Sequence, residues 1–391
     1  MTIASTSSAL RLSKLAPSIV QSEIRAMTIA CNAIDGINMS QGVCDTDPPH
    51  PVIEGAVNAM RNGFNIYARM DGIDSLRHAI ARKFAHYNAI TADPDGEILV
   101  TTGTTGAMLA TCMALFDPGD EVIVFEPFYG YHVNMLLGLN LKPVIVPLTA
   151  PRWDFDPEAL ANAITPKTRA ILVNTPGNPS GKVFTRTELE ALAAIAIDAD
   201  LFVVTDEIYE YFLYDGHEHI SPATLPGMAE RTITIAGFSK TFSVTGWRLG
   251  YLHASKRWTP SIAYFHDLLF ISAPAPLQHG VAAGLCDLPD SFYTDMQTEY
   301  VAKRDKTVAA LADAGLTPTV PQGAYYILAD VSRVEGSTSK EKARNLLKQV
   351  GVAAVAGSAF FRAGKGENLL RFCYAKKDDA LDEACRRLRS L

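Results

Sequence analysis

The segment TITIAGFSKTFSVTGWRLGY, residues Thr232–Tyr251, places one lysine, Lys240, between two stretches that are predicted to be buried. The first stretch is β-branched and apolar, which favours a strand, and the second is rich in large apolar side chains. Lysine is almost never fully buried without a partner. Removal of its ammonium from water lowers its pKa, so the neutral amine becomes available as a nucleophile that can form a Schiff base with a carbonyl. The alternative is a lysine whose charged end reaches water.

Arg248 follows eight residues after Lys240 and lies between Gly246 and Gly250. Glycines on both sides permit close backbone approach, and a guanidinium binds anions through paired hydrogen bonds. A nucleophilic amine close to such an arginine indicates a ligand that is an aldehyde and carries a phosphate.

This segment resembles the lysine signature of the class I/II aminotransferases, the aspartate and aromatic aminotransferase-like enzymes of fold type I that bind pyridoxal 5'-phosphate (PLP). The matching residues are Gly237, Ser239, Lys240, Ser243, Gly246, Arg248, Leu249 and Gly250. The resemblance implies that Lys240 forms a Schiff base with PLP and that Arg248 binds the phosphate. Many relatives have serine or threonine at the position of Gly237, so one hydroxyl contact to the phosphate is missing or replaced here.

Length and composition restrict the class of protein. With 391 residues the chain is long enough for two or three domains of about 150 residues each. The net charge of -7 and the lack of a Lys/Arg cluster argue against a nucleic-acid partner. Neither a signal peptide nor a membrane span is expected, because no long apolar run occurs. Six scattered cysteines without CxxC spacing predict neither a zinc site nor a disulfide framework, so a cytoplasmic enzyme is expected.

From Ile98 onward, apolar strands alternate with amphipathic helices, a pattern typical of a parallel sheet covered on both faces. Strands are predicted at 98–102, 121–126, 142–148, 169–174, 201–206, 231–237 and 248–253. Helices are predicted at 105–116, 129–138, 156–164, 186–199 and 261–272. After residue 290 the pattern changes to a long helix, 291–315, and strands at 324–331, 351–355 and 369–374.

The predicted fold is therefore α/β. A large PLP-binding domain, residues 45–290, contains a mostly parallel seven-stranded sheet sandwiched by helices. A smaller α+β domain is built from both termini, residues 1–44 and 291–391.

Two turns of the large domain carry candidate cofactor contacts. TTGTTG, residues 101–106, joins a strand to a helix, where backbone N–H groups and hydroxyls can hold a phosphate, although such turns are also common without one. The resemblance implies that Gly103, Thr104 and Thr105 bind the PLP phosphate. In EPFYGY, residues 126–131, it implies that the ring of Tyr129 stacks on the pyridine, whereas Phe128 is interpreted as core.

NTPGNPSGK, residues 174–182, superficially resembles a phosphate-binding P-loop. The loop is one residue short, contains Pro179 and has no Ser or Thr after its lysine to hold magnesium. The family turn N-P-T/S-G fits better, and it implies that Asn178 contacts the phenolic oxygen of PLP and the substrate carboxylate.

Asp206 ends an apolar strand, so its carboxylate needs a cationic partner unless it caps a helix. A protonated pyridine nitrogen is such a partner, and pairing with it maintains the ring as an electron acceptor. The resemblance implies that Tyr209 donates to the phenolic oxygen. Arg371 lies in the apolar strand LLRFCYA, where a buried guanidinium needs an anion, and an internal salt bridge could supply it. The resemblance implies that Arg371 binds the substrate α-carboxylate.

Three further assignments complete the site. The turn QGVCDTDPPHP contains Gly42 and is predicted to line the substrate site, although it can equally be a linker. By resemblance the protein is a homodimer in which Tyr67 reaches the phosphate of the neighbouring subunit. His217 and His219 lie in a polar turn and are interpreted as solvated, so no metal site is predicted.

The predicted function is transamination between an L-amino acid and a 2-oxo acid such as 2-oxoglutarate. Aromatic or neutral donors are favoured over aspartate, because no second arginine can be assigned to a side-chain carboxylate and because Tyr129, Tyr131, Phe360 and Phe361 suggest an aromatic or neutral pocket. A PLP-dependent lyase or synthase that acts by elimination is the alternative. A nucleotide-binding ATPase or a non-catalytic PLP-bound regulator is less consistent, since the P-loop is defective and no DNA-binding module is present.

Overall fold

The computed structural model describes residues 10–19, 23–362 and 364–391. Its strands are β1 (Ile37–Asn38), β2 (Ile98–Thr102), β3 (Glu121–Glu126), β4 (Lys142–Pro147), β5 (Thr168–Asn174), β6 (Phe202–Asp206), β7 (Thr232–Gly237), β8 (Leu249–His253), β9 (Thr317–Pro318), β10 (Tyr326–Asp330), β11 (Val352–Ala353), β12 (Val355–Ala356) and β13 (Leu369–Cys373). Its helices are α1 (Glu23–Asn32), α2 (His50–Arg61), α3 (Asp74–Lys83), α4 (Gly103–Leu115), α5 (Gly130–Gly138), α6 (Pro157–Asn162), α7 (Arg186–Asp198), α8 (Thr259–Phe270), α9 (Ala275–Asp287), α10 (Asp290–Asp313), α11 (Ser339–Val350) and α12 (Asp378–Leu388). Within the described residues, no helix is long and apolar enough to cross a membrane.

The central sheet has seven strands in the order β2-β8-β7-β6-β5-β3-β4. Strands β4, β3, β5, β6 and β7 pair in parallel, whereas β8 is antiparallel to both β7 and β2. The predicted α/β fold with a mostly parallel seven-stranded sheet is confirmed. The one reversed strand is β8, which directly follows the segment that carries Lys240.

Helices cover both faces of this sheet. In β5, Leu172 belongs to one apolar cluster, and its neighbours Ile171 and Val173 belong to another, as the alternation of side chains in a strand requires. The first cluster includes side chains of α4, α5 and α8, and the second includes side chains of α6 and α7. The strands are therefore buried, and their carboxyl ends meet at one edge, where ligands of such sheets bind.

The C-terminal part contains a separate four-stranded sheet in the order β12-β13-β10-β9. Its apolar cluster also includes Met27 and Met39, so the N-terminal segment packs with the C-terminal part. The prediction of a single strand at 351–355 is wrong. Val352–Ala353 pairs with β1, whereas Val355–Ala356 pairs with β13, so the segment forms two short strands with different partners.

Helix α9 was not predicted from the sequence, because Gly280 and Gly284 lower its intrinsic helix propensity. Both glycines are required by packing. A Cβ on Gly280 would lie 2.4 Å from the carbonyl oxygen of Val52, and a Cβ on Gly284 would lie 2.5 Å from the Val52 side chain. Helices α2 and α9 therefore pack closely through small residues.

Candidate functional site

A cavity of about 350 Å³ lies where the carboxyl ends of the central strands face the C-terminal part of the chain. Ten of the predicted site residues line it: Gly42, Thr104, Thr105, Tyr129, Asn178, Asp206, Tyr209, Lys240, Arg248 and Arg371. These ten residues come from seven separate segments of sequence, and the fold brings them to one place.

Lys240 follows the end of β7, and its Nζ donates a hydrogen bond of 2.8 Å to the carbonyl oxygen of Gly42. Burial lowers the pKa of Lys240, and a nearby Cys44 thiol opposes that effect. No carboxylate among the described residues forms an ion pair with this ammonium. Because desolvation outweighs the surrounding charges, the neutral amine is accessible closer to physiological pH than for an exposed lysine.

Asp206, the last residue of β6, is buried, and its Oδ2 lies 3.0 Å from Nε2 of His132. Its Oδ1 accepts a weaker hydrogen bond of 3.3 Å from the backbone N–H of Ile208. No helix begins at this residue, so it is not a helix cap. His132 lies on α5 and was missed by sequence reasoning, since a single histidine in an apolar helix carries no local signal.

The ring of Tyr129 is held by two aromatic neighbours. It packs edge-to-face against His132 with the ring centroids 5.2 Å apart, and Tyr131 stacks on it at 5.3 Å. Burial raises the pKa of Tyr129, so its hydroxyl stays protonated. Of the four aromatic residues suggested for the substrate pocket, Tyr129 and Tyr131 line the cavity. Phe360 and Phe361 do not, because Phe360 packs beneath the Arg371 guanidinium and Phe361 packs against Trp153.

Arg371 is 1% exposed in β13 and has no ion pair with a described carboxylate, which argues against the internal salt bridge. Its Nη1 donates to Asn178 Oδ1 at 2.8 Å, and its Nη2 donates to the Ser40 carbonyl at 2.6 Å. The guanidinium also packs on the rings of Tyr326 and Phe360, 4.3 and 4.9 Å from their centroids. Its buried Nε has no hydrogen-bond acceptor within the described part of the chain, so the site holds a cation that needs an anion.

Tyr209 shares a hydrogen bond of 2.8 Å with the hydroxyl of Tyr326. Burial raises the pKa of both phenols, so each stays neutral and able to donate. Tyr326, which also stacks on Arg371, was not selected from the sequence. It links the predicted cofactor side of the cavity to the predicted substrate side.

The opposite end of the cavity is suited to a phosphate. Thr104 and Thr105 lie in the first turn of α4, where backbone N–H groups have no partner within the helix. Arg248 adopts a left-handed φ of 56°, and a Cβ on Gly103 would lie only 2.7 Å from its Nη2. Gly103 does not itself line the cavity, but its missing side chain lets the guanidinium approach the start of the helix.

Gly237 lies in a tightly packed position. A Cβ at this position would lie 3.1 Å from the Ile208 side chain and 3.2 Å from the Cα of Gly250 on β8. A larger residue would therefore need a small shift of these neighbours, whereas the hydroxyls of Ser239 and Thr245 already line the cavity.

The interpretation of His219 as solvated is wrong. Its side chain is 2% exposed, and its Nε2 lies 2.8 Å from Oε2 of the buried Glu207. The polar turn folds back against the end of β6, which the surrounding sequence did not reveal. Glu207, Glu210 and His219 are close enough to hold a metal ion, but Lys83 Nζ already lies 2.5 Å from Glu210.

Tyr67 lies apart from the other predicted residues. It is 77% exposed and does not line the cavity of its own chain.

Comparison with known proteins agrees with this geometry. Residues 34–388 match the family model "Aminotransferase class I and II". A probable N-succinyldiaminopimelate aminotransferase of Mycobacterium tuberculosis is 36% identical over 373 residues, which cover 93% of this chain and 94% of the relative. Kynurenine–oxoglutarate transaminase 3 of Mus musculus is 36% identical over 377 residues, which cover 89% of this chain and 83% of the relative.

Solved structures give the same result. The structure of N-succinyldiaminopimelate aminotransferase from Mycobacterium tuberculosis superposes with a TM-score of 0.93 at 36% identity and covers 97% of this chain and 100% of that one. YbdL from Escherichia coli, whose structure identified a methionine aminotransferase function, superposes with a TM-score of 0.93 at 32% identity and covers 98% of this chain and 100% of that one.

Proposed function

The chain belongs to the class I and II aminotransferases, which are PLP-dependent, and from this premise we propose that it transfers the amino group of an L-amino acid to a 2-oxo acid through a Schiff base at Lys240. The observation that supports this best is that Lys240, Asp206 and Arg371, from three distant elements, line one cavity.

The donor set of the cavity fits PLP. Arg248, Thr104 and Thr105 would bind its phosphate together with the N–H groups at the start of α4. Gly103 has no side chain, so the Arg248 guanidinium can approach the start of this helix. Bound PLP supplies an aldehyde for covalent attachment of amino groups and a ring that accepts electrons from the substrate Cα.

The residues around the ring tune its electronic state. With PLP bound, Asp206 would pair with the ring nitrogen and keep it protonated, Tyr129 would pack against the ring, and Asn178 and Tyr209 would contact the phenolic oxygen. His132 positions the Asp206 carboxylate through the contact between its Nε2 and Asp206 Oδ2.

The substrate is oriented by its α-carboxylate. Arg371 and Asn178 bind it, and the turn at Gly42 closes the cavity beside it. Lys240 would hold the aldehyde of PLP, and its free amine would take the proton from the substrate Cα as a base and deliver it as an acid to the carbon that was the aldehyde carbon of the cofactor. Tyr129 and Tyr131 favour an aromatic or neutral donor side chain over that of aspartate.

A panel of amino donors assayed with the PLP-loaded protein tests this function. Aromatic and neutral L-amino acids are expected to be converted to their 2-oxo acids, and added 2-oxoglutarate is expected to restore the PLP absorbance and to yield glutamate in equal amount. Release of ammonia without any need for an oxo acid would instead assign the chain to the enzymes that act by elimination.

The protein is proposed to be a homodimer in which Tyr67 completes the phosphate site of the partner. Large apolar side chains are exposed in two segments, 64–67 and 264–271, and include Tyr67, Ile66 and Leu268 at 77, 80 and 75% exposure. Patches of that kind mark interaction surfaces.

The six cysteines form no disulfide, which supports a cytoplasmic location.

Mixed dimers of Tyr67→Ala and Lys240→Ala subunits test this arrangement. If Tyr67 acts across the interface, one site of each mixed dimer is intact and is expected to bind PLP as tightly as the unmodified protein. The Tyr67→Ala homodimer is expected to bind PLP about tenfold more weakly, as loss of a charge-assisted hydrogen bond predicts. Mixed dimers that lack any site of full affinity would place Tyr67 in its own subunit.

The proposed division into domains, with residues 45–290 in the large domain and residues 1–44 and 291–391 in the small one, rests on the shared apolar cluster of the two termini. Residues 1–9, 20–22 and 363 of the small domain lie outside the described residues.

A further inference from the structure

The outer part of the cavity is lined by one face of α1, at Ile24, Arg25 and Thr28. Arg25 is exposed and makes no hydrogen bond or ion pair with the residues that the structure describes. It is the basic side chain of α1, and no role was assigned to it from the sequence. Its guanidinium is thus free to bind a ligand in the cavity.

The side chains that line the cavity carry more positive than negative charge. Four cationic side chains and one carboxylate line it: Arg25, Lys240, Arg248, Arg371 and Asp206. In the proposed function, Lys240 is bonded to PLP or carries a proton, Arg248 pairs with the phosphate and Asp206 pairs with the ring nitrogen. Arg371 pairs with the α-carboxylate. Arg25 alone is left without an anionic partner.

The position of α1 is fixed relative to Arg371. Asn38 donates to Thr28 Oγ1 at 3.2 Å, and its Oδ1 accepts from the backbone N–H of Ser40 at 2.9 Å. The carbonyl of Ser40 in turn accepts from Arg371 at 2.6 Å. Arg25 precedes Thr28 by three residues and therefore lies on the same face of the helix. A continuous set of hydrogen bonds thus links helix α1, which carries Arg25, to the Arg371 guanidinium in the same cavity.

We propose that Arg25 binds the distal carboxylate of a dicarboxylic 2-oxo acid, the amino acceptor, while Arg371 binds its α-carboxylate. The inference rests on the proposed function and names the acceptor class of the same site. A neutral or aromatic donor uses the same space, because Arg25 is long and exposed and can leave its charge in water while Ile24 and Tyr131 contact the apolar side chain.

The test compares two acceptors that differ only in the distal group. 2-Oxoglutarate has a distal carboxylate, and 2-oxopentanoate has a methyl group in its place. Arg25→Gln is expected to lower kcat/KM for 2-oxoglutarate by about 10- to 100-fold, the loss of one charge-assisted hydrogen-bonded pair, and to leave 2-oxopentanoate within about twofold. Arg25→Lys is expected to recover part of the loss, and Arg371→Gln should impair both acceptors.

Arg61→Gln is the matched control, because Arg61 is an exposed arginine on α2 that does not line the cavity. It removes the same charge and is expected to change neither acceptor. An equal loss for both acceptors in Arg25→Gln, or no loss for either, overturns the proposal.

Calorimetric titration of the PLP-loaded protein with glutarate and with pentanoate separates this proposal from the function on which it rests. Arg25→Gln should weaken binding of glutarate by about 10- to 100-fold and leave pentanoate unchanged. Equal affinities of the unmodified protein for the two ligands would overturn the role of Arg25. Failure of every acceptor to react would overturn the aminotransferase proposal, and the titration would still decide the role of Arg25.

Discussion

Replacement of Lys240 by alanine is expected to lower the rate of transamination by about 10⁴-fold or more, because it removes both the covalent attachment of PLP and the group that moves the Cα proton. The expected effect is on kcat, measured in single turnovers with a saturating amino donor. Lys240→Arg is expected to be as inactive as alanine, since a guanidinium keeps the charge but stays protonated and cannot act as a nucleophile.

The pH dependence of PLP attachment gives a second measurement for Lys240. Burial lowers the pKa of this amine below its ordinary value, so the reactive neutral fraction grows as pH rises through the lowered pKa. The rate of PLP attachment to the apoprotein should therefore rise with pH and level off below the range in which an exposed lysine titrates.

Lys256→Ala is the control for Lys240. Lys256 is exposed and forms an ion pair of 2.6 Å with Asp93 away from the cavity. It should retain full activity and the absorbance of bound PLP. Substantial activity in Lys240→Arg would mean that the residue contributes only charge, and another group would have to carry the proton.

The predicted site residues that the fold brings together most clearly share one property, which is a conflict between a charged side chain and the apolar sequence around it. Lys240, Asp206 and Arg371 are charged residues inside or beside apolar strands, and such conflicts are visible without a structure. The seven strands of the central sheet were equally visible, because buried parallel strands are continuous apolar runs.

The residues that were missed act through contacts between distant segments. His132 meets Asp206 across 74 positions, and Tyr326 meets Tyr209 across 117. His132 and Tyr326 are both compatible with the helix or strand in which they lie. The sequence around each of them therefore does not indicate which distant residue it contacts. Arg25 is a similar case, because an arginine on an exposed helix face is common and only the fold places it over the cavity.

Replacement of Asp206 by asparagine is expected to lower kcat by about 10²- to 10³-fold while the protein remains folded and binds PLP. An amide has the same size as the carboxylate but no charge, so it cannot hold the ring nitrogen in its protonated form. The protonated ring is the stronger electron acceptor, and the loss should therefore appear in the removal of the Cα proton, measured with a donor deuterated at Cα. Asp313→Asn, an exposed aspartate that pairs with Arg389, is the control and should leave kcat unchanged.

His132, which contacts Asp206, provides a second test of the role of this carboxylate. Nε2 of His132 lies 3.0 Å from the carboxylate, and His132 does not itself line the cavity. His132→Phe is expected to lower kcat by about tenfold, the value of one hydrogen bond to a charged group, and to add little when combined with Asp206→Asn. Multiplicative losses in the double variant would show that the histidine acts independently of the aspartate. Loss of PLP affinity with kcat unchanged in Asp206→Asn would show that the carboxylate anchors the cofactor without activating it.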